Sequence, residues 1–328
     1  MATSVTSWSR LRAPASSLIY SRPTYDIRRT SPAFAKARGN VCFSSSTPSD
    51  TASPVATFRP AGRLSGRTCM VTGGTSGIGF AIAERFMQEG ALTIILVGRS
   101  QERLQKAAEK LSIIDGTETS SDKVRLVVGD VGKAGTWMRE LEKEMAGVDV
   151  LVNAAGISIS KILPKLELDD ISQVLRTNLE GAILTSRAFL RAAIRSRIRD
   201  RKNTDSGQKP PSKCIINVSS LLALKAGSGA VPYAASKAGL LGLTRSLAVE
   251  SSTSMRDLVV RSNAIVPGYI ETPMIEDFSL GEVDRLKALI PLRRFGDPRE
   301  IADAAVFLAQ NEYANNCVLN LDGGLSAV

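Results

Sequence analysis

Tyr233 and Lys237 stand four residues apart in the stretch PYAASKAGLLG, residues 232–242, and Ser220 lies thirteen residues before the tyrosine. A free phenol, with a pKa of about 10, is a poor acid or base at neutral pH. An ammonium one helical turn away favours the phenolate and lowers that value, and positions i and i+4 of a helix share a face. So tuned, Tyr233 can protonate a carbonyl oxygen as hydride arrives from a nicotinamide. A hydroxyl at Ser220, at the end of the apolar run CIINVSS, can donate to the same oxygen and stabilise the charge developing there. Taken singly, a Tyr and a Lys on one helix are usually a packed ring and a solvated amine. The chain contains no histidine, which excludes Ser-His-Asp triads and histidine-ligated metals, and no metal is expected.

A second group of residues suggests where the hydride comes from. VTGGTSGIGF closes one apolar run and opens a helical pattern, and Gly73, Gly77 and Gly79 allow a tight turn whose backbone N–H groups approach a pyrophosphate. An NAD site usually places a carboxylate at the end of the next strand to hold the ribose 2′-hydroxyl. Here that position is Gly98, followed by Arg99 and Ser100. A guanidinium and a hydroxyl suit a 2′-phosphate, so the cofactor is read as NADPH/NADP+. The alternative is that Arg99 merely faces solvent.

The elements that must position these residues follow from the hydropathy pattern. Strands are predicted at TCMVTG, LTIILVG, VRLVVGD, VDVLVNAAG, CIINVSS, VVRSNAIVPG and CVLNLDGG. Helices are predicted at Ile78–Glu89, Gln101–Leu111, Ala134–Met145, Asp169–Arg195, Val231–Glu250 and Pro298–Ala309. The strands are nearly continuous Val/Ile/Leu, as expected where helices cover both faces of a parallel sheet. The prediction is one α/β, doubly wound, Rossmann-type domain over residues 61–328, with a seven-stranded parallel sheet. Two segments break the rhythm. Residues 196–213 read as a polar, basic surface loop, and Tyr269–Phe295 reads as a lid or as a packed helical excursion.

Composition bounds the rest. No apolar run approaches the roughly 20 residues that span a bilayer, and four scattered cysteines suggest neither disulfides nor a zinc site. Of the net charge of +10, the greater part sits in residues 1–60, where eight basic side chains oppose only Asp26 and Asp50. That segment, rich in arginine and serine and free of glutamate, reads as a targeting leader. The mitochondrial matrix is the expected destination, with plastid or cytoplasm as alternatives. The remainder is only mildly basic and has no arginine-rich or aromatic platform, so nucleic-acid binding is not expected.

Taken together, these motifs resemble the short-chain dehydrogenase/reductase family over residues ~63–328. TGGTSGIG resembles its cofactor turn, NAAG (153–156) its fourth-strand motif, YAASK its Tyr-x-x-x-Lys signature, and TNLEG the helix segment supplying a fourth catalytic residue. The resemblance implies that Tyr233 is the general acid and that Lys237 tunes it and holds the nicotinamide ribose. It further implies that Ser220 orients the carbonyl and that Asn178 holds a water in a proton relay. For the cofactor it implies Gly73, Thr75, Ser76, Gly77, Ile78 and Gly79 in the turn, and Asp130 with Val131 at the adenine. Asn153, Ala154, Ala155 and Gly156 would support it from the fourth strand, and Pro267, Gly268, Ile270 and Thr272 would line the nicotinamide.

Within that family, YIETPM and PLRRFGDPREIADAAVFLAQNE are most similar to the 3-oxoacyl-[acyl-carrier-protein] reductases. This implies a carrier-protein thioester as substrate and a homotetramer as assembly. An acidic carrier needs a basic patch near the mouth, and Arg187, Arg191, Arg195 and Arg256 are the candidates, although they read equally as a solvated face. Residues 196–213 and Arg293 depart from the pattern. The alternatives are a reductase of small ketones, quinones or secondary metabolites, and a non-catalytic cofactor-binding subunit of a mixed oligomer.

Overall fold

The computed structural model describes residues 60–115, 123–133, 135, 137–200, 212–254, 258–275 and 278–328. The leader up to residue 59, Arg256 and residues 201–211 of the insertion lie outside them. Seven strands form one parallel sheet in the order β3-β2-β1-β4-β5-β6-β7. They are β1 (Thr68–Thr72), β2 (Thr93–Gly98), β3 (Val124–Val128), β4 (Val150–Asn153), β5 (Lys213–Val218), β6 (Val260–Pro267) and β7 (Val318–Leu321). The helices among the described residues are α1 (Gly77–Gln88), α2 (Gln101–Asp115), α3 (Trp137–Glu144), α4 (Leu168–Leu175), α5 (Gly181–Asp200), α6 (Val231–Ser254), α7 (Leu280–Leu289) and α8 (Pro298–Gln310).

Strand alternation sends side chains to two separate cores. Cys69, Val71, Ile94, Leu96, Val150 and Val152 pack with Phe86 of α1, Leu104 of α2 and Leu308 of α8. Met70, Ile95, Leu151 and Ile215 pack on the other face with Leu141 of α3 and Phe189 of α5. Both faces are covered, which is why the strands read as unbroken apolar runs rather than alternating ones. From β1 the chain builds outward to β3 on one side and to β7 on the other. This reversal opens a crevice beyond the strands' carboxyl ends. Register pairs Thr72 with Asn153 and Asn153 with Asn217, bringing the ends of β1, β4 and β5 level there.

Two segments differ from the sequence expectation or resolve it. The helix expected over Asp169–Arg195 is α4, a π turn at Arg176–Glu180, and α5. The 269–295 segment is the packed helical excursion of the two alternatives. Ser279 caps α7 by accepting from the Glu282 N–H. Leu286 and Ile290 then pack with Leu221, Phe295 and Leu325 in a small third cluster.

Candidate active site

The glycine turn is defined by what surrounds it. Thr72 Oγ1 accepts from the N–H groups of Ala154 and Ala155, both at 3.2 Å, fastening the end of β1 to the NAAG segment. A Cβ on Gly73 would lie 2.7 Å from Ala155 Cα, and one on Gly79 would lie 2.4 Å from the Gly73 carbonyl oxygen. Any larger residue would close this cradle. Ser76 begins α1 without a side-chain cap and no acid occupies the first turn. The first-turn N–H groups are therefore available to an anion. Thr272, just beyond β6, approaches the same turn, since a Cβ on Gly77 would lie 3.3 Å from its methyl group. Gly268 is held to β7 through its N–H and the Leu321 carbonyl at 2.9 Å, and Ile270 is buried beside it. The glycine turn and Thr272 thus face each other, and the shape and free N–H donors of the turn fit a dinucleotide, while Pro267 is buried at the end of β6.

At the end of β2, Gly98 stands where a carboxylate would repel a phosphate, and Arg99 is exposed. Ser100 serves first as a cap, its Oγ accepting from the Arg103 N–H at 3.3 Å. Arg103 itself reaches back to the glycine turn, Nη2 donating to Ser76 Oγ at 3.1 Å. Asp130 accepts from the Gly132 N–H at 3.0 Å, which fixes its carboxylate at the end of β3 beside buried Val131. Asn153 does not face the crevice with its side chain. It donates to Ser186 and Asn217 and accepts from Thr185 in a buried network beneath the sheet's edge. Its support for a cofactor is therefore indirect.

Four residues expected to act together do meet. Tyr233 and Lys237 lie on one face of α6, with Lys237 Nζ 5.7 Å from the phenol ring centre. Lys237 Nζ donates to the Val218 carbonyl at 2.9 Å, and the Ser219 hydroxyl donates to the Lys237 carbonyl at 2.7 Å. These bonds tie α6 to the end of β5, where the Ser220 side chain lies near enough to the Tyr233 phenol to act on its ionisation. The π turn presents Asn178: its Oδ1 accepts from the Ile157 N–H at 2.8 Å, and its Nδ2 donates to the Ile157 carbonyl and to Ser236 Oγ. Such turns inside helices often mark functional positions. A Cβ on Gly156 would lie 3.3 Å from Lys237 Nζ and 3.4 Å from Asn178 Oδ1, so any larger residue there would push on both catalytic side chains.

Electrostatics and geometry bear on three expectations. Burial pushes the Tyr233 phenol up from its ordinary value, and the Ser220 hydrogen bond only partly opposes this, so the net direction is not the lowering expected from Lys237. Burial likewise pulls the Lys237 ammonium down to about 8. The third concerns docking. Arg191 and Arg195 both pair with Glu142 of α3. Along α5 they also lead away from the crevice, since Arg195 is about 20 Å from the helix start at 1.5 Å per residue. Ser196, which follows, bonds the Ala146 carbonyl before β4 begins. The described ends of the 196–213 insertion therefore lie at the opposite edge of the sheet, not beside the mouth.

Three residues escaped sequence reasoning. Thr72 and Ser236 tether the cofactor turn and Asn178, but single hydroxyls carry no motif. Arg103 was signalled by its place one turn after Arg99 at the start of α2.

A family model described as short chain dehydrogenase matches residues 67–282. The chain belongs to the short-chain dehydrogenase family. It is therefore an oxidoreductase acting between CH–OH and C=O groups. It is 37% identical over 259 residues to the 3-oxoacyl-[acyl-carrier-protein] reductase of Bos taurus, covering 79% of this chain and 98% of that one. The corresponding reductase of Aquifex aeolicus is 35% identical over 266 residues, covering 80% and 98%. Among solved structures, a gluconate 5-dehydrogenase from Burkholderia cenocepacia in complex with NADP and tartrate is 28% identical. Its TM-score is 0.68, over 81% of this chain and 98% of that one.

Proposed function

We propose that this short-chain dehydrogenase reduces a 3-oxoacyl thioester, presented on an acyl carrier protein, to the 3-hydroxyacyl product with NADPH in fatty-acid biosynthesis. The observation that carries the reading is the rim of the crevice. Ile162 and Leu163 after β4, Leu224 after Ser220 and Met274 after β6 are each about half exposed. The loops bearing them adjoin: Lys161 N–H donates to the Gly229 carbonyl at 3.0 Å, and Leu221 packs with α7 residues. An apolar rim suits an acyl chain and offers little to a polyol. The carrier-protein reductases among its relatives support the same substrate. The intact set of Ser220, Tyr233, Lys237 and Asn178 speaks against a non-catalytic subunit.

In this reading the bound nicotinamide supplies the hydride. Ser220 donates to the substrate carbonyl oxygen, and the Tyr233 hydroxyl delivers the proton to that oxygen as charge develops there. Lys237 holds the nicotinamide ribose and replenishes the proton on Tyr233. Both N–H groups of Asn178 are engaged, so only Oδ1 has capacity left to orient a relay water. Arg99 and Arg103 together receive the 2′-phosphate. Carrier docking falls to the mouth, where Lys165 and Arg176 are exposed. The exposed Leu168, Ile183, Ile194 and Val249 on α4, α5 and α6 are proposed as the contacts of a homotetramer. Residues 1–60 are proposed to direct the chain to mitochondria.

The test compares kcat/KM for acetoacetyl-carrier protein with that for small ketones, quinones and 5-ketogluconate, using residues 61–328. Preference for the thioester by at least tenfold, weakening with salt, is expected. Preference for a free small carbonyl would move the substrate to the second reading.

A further inference from the structure

Resting on the proposed role of Ser220, we infer that Lys225 is a positioning residue. It clamps the segment Asp322–Val328 across the crevice so that the Ser220 turn and α7 are held in one register. Lys225 Nζ donates to the Leu325 carbonyl at 2.8 Å and to the Val328 carbonyl. Leu325 opens the short 3-10 turn Leu325–Ala327 and Val328 caps its end, where main-chain oxygens without a helical partner accept from a lysine favourably.

The clamped segment touches three walls of the crevice. Its first residue, Asp322, abuts the nicotinamide-lining loop, since a Cβ on Gly268 would lie 2.7 Å from Asp322 Cα. Asp322 also accepts from the N–H groups of Gly324 and Ser326, each at 2.9 Å, which sets the turn. Next, the Gly323 carbonyl accepts from the Leu292 N–H at 3.2 Å, just beyond α7. Finally Leu325, 6% exposed, packs with Leu286 and Ile290 of the α7 region and with Leu221, the neighbour of Ser220.

The path from Lys225 to Ser220 is short and stiff. Lys225 N–H donates to the Leu221 carbonyl, Ala223 N–H to the Ser220 carbonyl, and Leu222 N–H to Ser220 Oγ at 3.2 Å. A shift at Lys225 therefore moves the serine, and reacting groups displaced by about 1 Å lose of order a hundredfold in rate.

Three full-length proteins decide the matter: wild type, Lys225→Met, which keeps the stem, and Lys225→Arg. Hydrogen exchange is measured over 221–225 and 280–292, alongside kcat, KM and NADPH Kd. The methionine variant is expected to exchange at least fivefold faster in both segments and to lose at least fivefold in kcat with Kd unchanged. The arginine variant should restore most of both. Should the methionine variant fail to fold, Leu325→Ala carries the same readout. Wild-type exchange in both segments, or faster exchange with full kcat, would overturn the clamp. The exchange arm needs no substrate, so a wrong substrate assignment would show as absent wild-type turnover and leave the clamp separately decided.

Discussion

Burial acts in opposite senses on the two titrating groups of the site. It raises the Tyr233 phenol and lowers the Lys237 ammonium, so the pair rests as a neutral phenol beside an amine that loses its proton near pH 8. A protonated phenol is what carbonyl reduction requires of a general acid. The lysine shift also has a stability consequence. Below about pH 8 the lysine is charged in both folded and unfolded chains. Above it the folded protein releases the proton first, the unfolded chain binds more protons, and stability rises with pH. Wild-type stability relative to Lys237→Met should therefore increase from about pH 8 towards 10 in denaturant titrations, and a flat difference would contradict the burial. At the cofactor, replacing both Arg99 and Arg103 with glutamine should raise the KM for NADPH at least tenfold and leave that for NADH within about twofold. Equal effects on both would remove the 2′-phosphate assignment.

Elements decide where these residues meet. The glycine turn was legible because strand, turn and helix each leave a sequence signature. The close approach of NAAG to it was not, because that contact joins Thr72 to backbone N–H groups 82 and 83 residues further along the chain. Ordinarily Gly→Ala inside a helix stabilises by up to about 1 kcal/mol. At Gly79 the added Cβ would lie 2.4 Å from the Gly73 carbonyl oxygen. Gly79→Ala should therefore weaken NADPH binding at least tenfold by fluorescence titration while α1 remains folded. The helix over Asp169–Arg195 was predicted unbroken because no residue type in Arg176–Glu180 marks a π turn, which differs from an α-turn by a single residue. Only the structure shows that this turn is what directs Asn178 at Ile157. Arg191 and Arg195 misled for a related reason: helical spacing shows a shared face but not which end of the sheet it overlooks.

At the scale of the whole molecule, the parallel order of seven strands places every functional loop at one edge, and this was readable from the alternation of runs. The third small core was not readable. Leu221, Leu286, Phe295 and Leu325 come from separate parts of the chain, and no periodicity links them. That core joins the serine turn, α7 and the last turn of the chain, so the mouth of the crevice behaves as one packed unit rather than as independent loops. The proposed reaction turns on Tyr233 as the proton donor in NADPH-dependent reduction of a 3-oxoacyl thioester. The most direct test measures acetoacetyl-carrier protein turnover and NADPH Kd for wild type and Tyr233→Phe. Active wild type, a loss of at least about a thousandfold in the variant, and a Kd within about twofold of wild type are expected. A variant that turns over the thioester at the wild-type rate would contradict it.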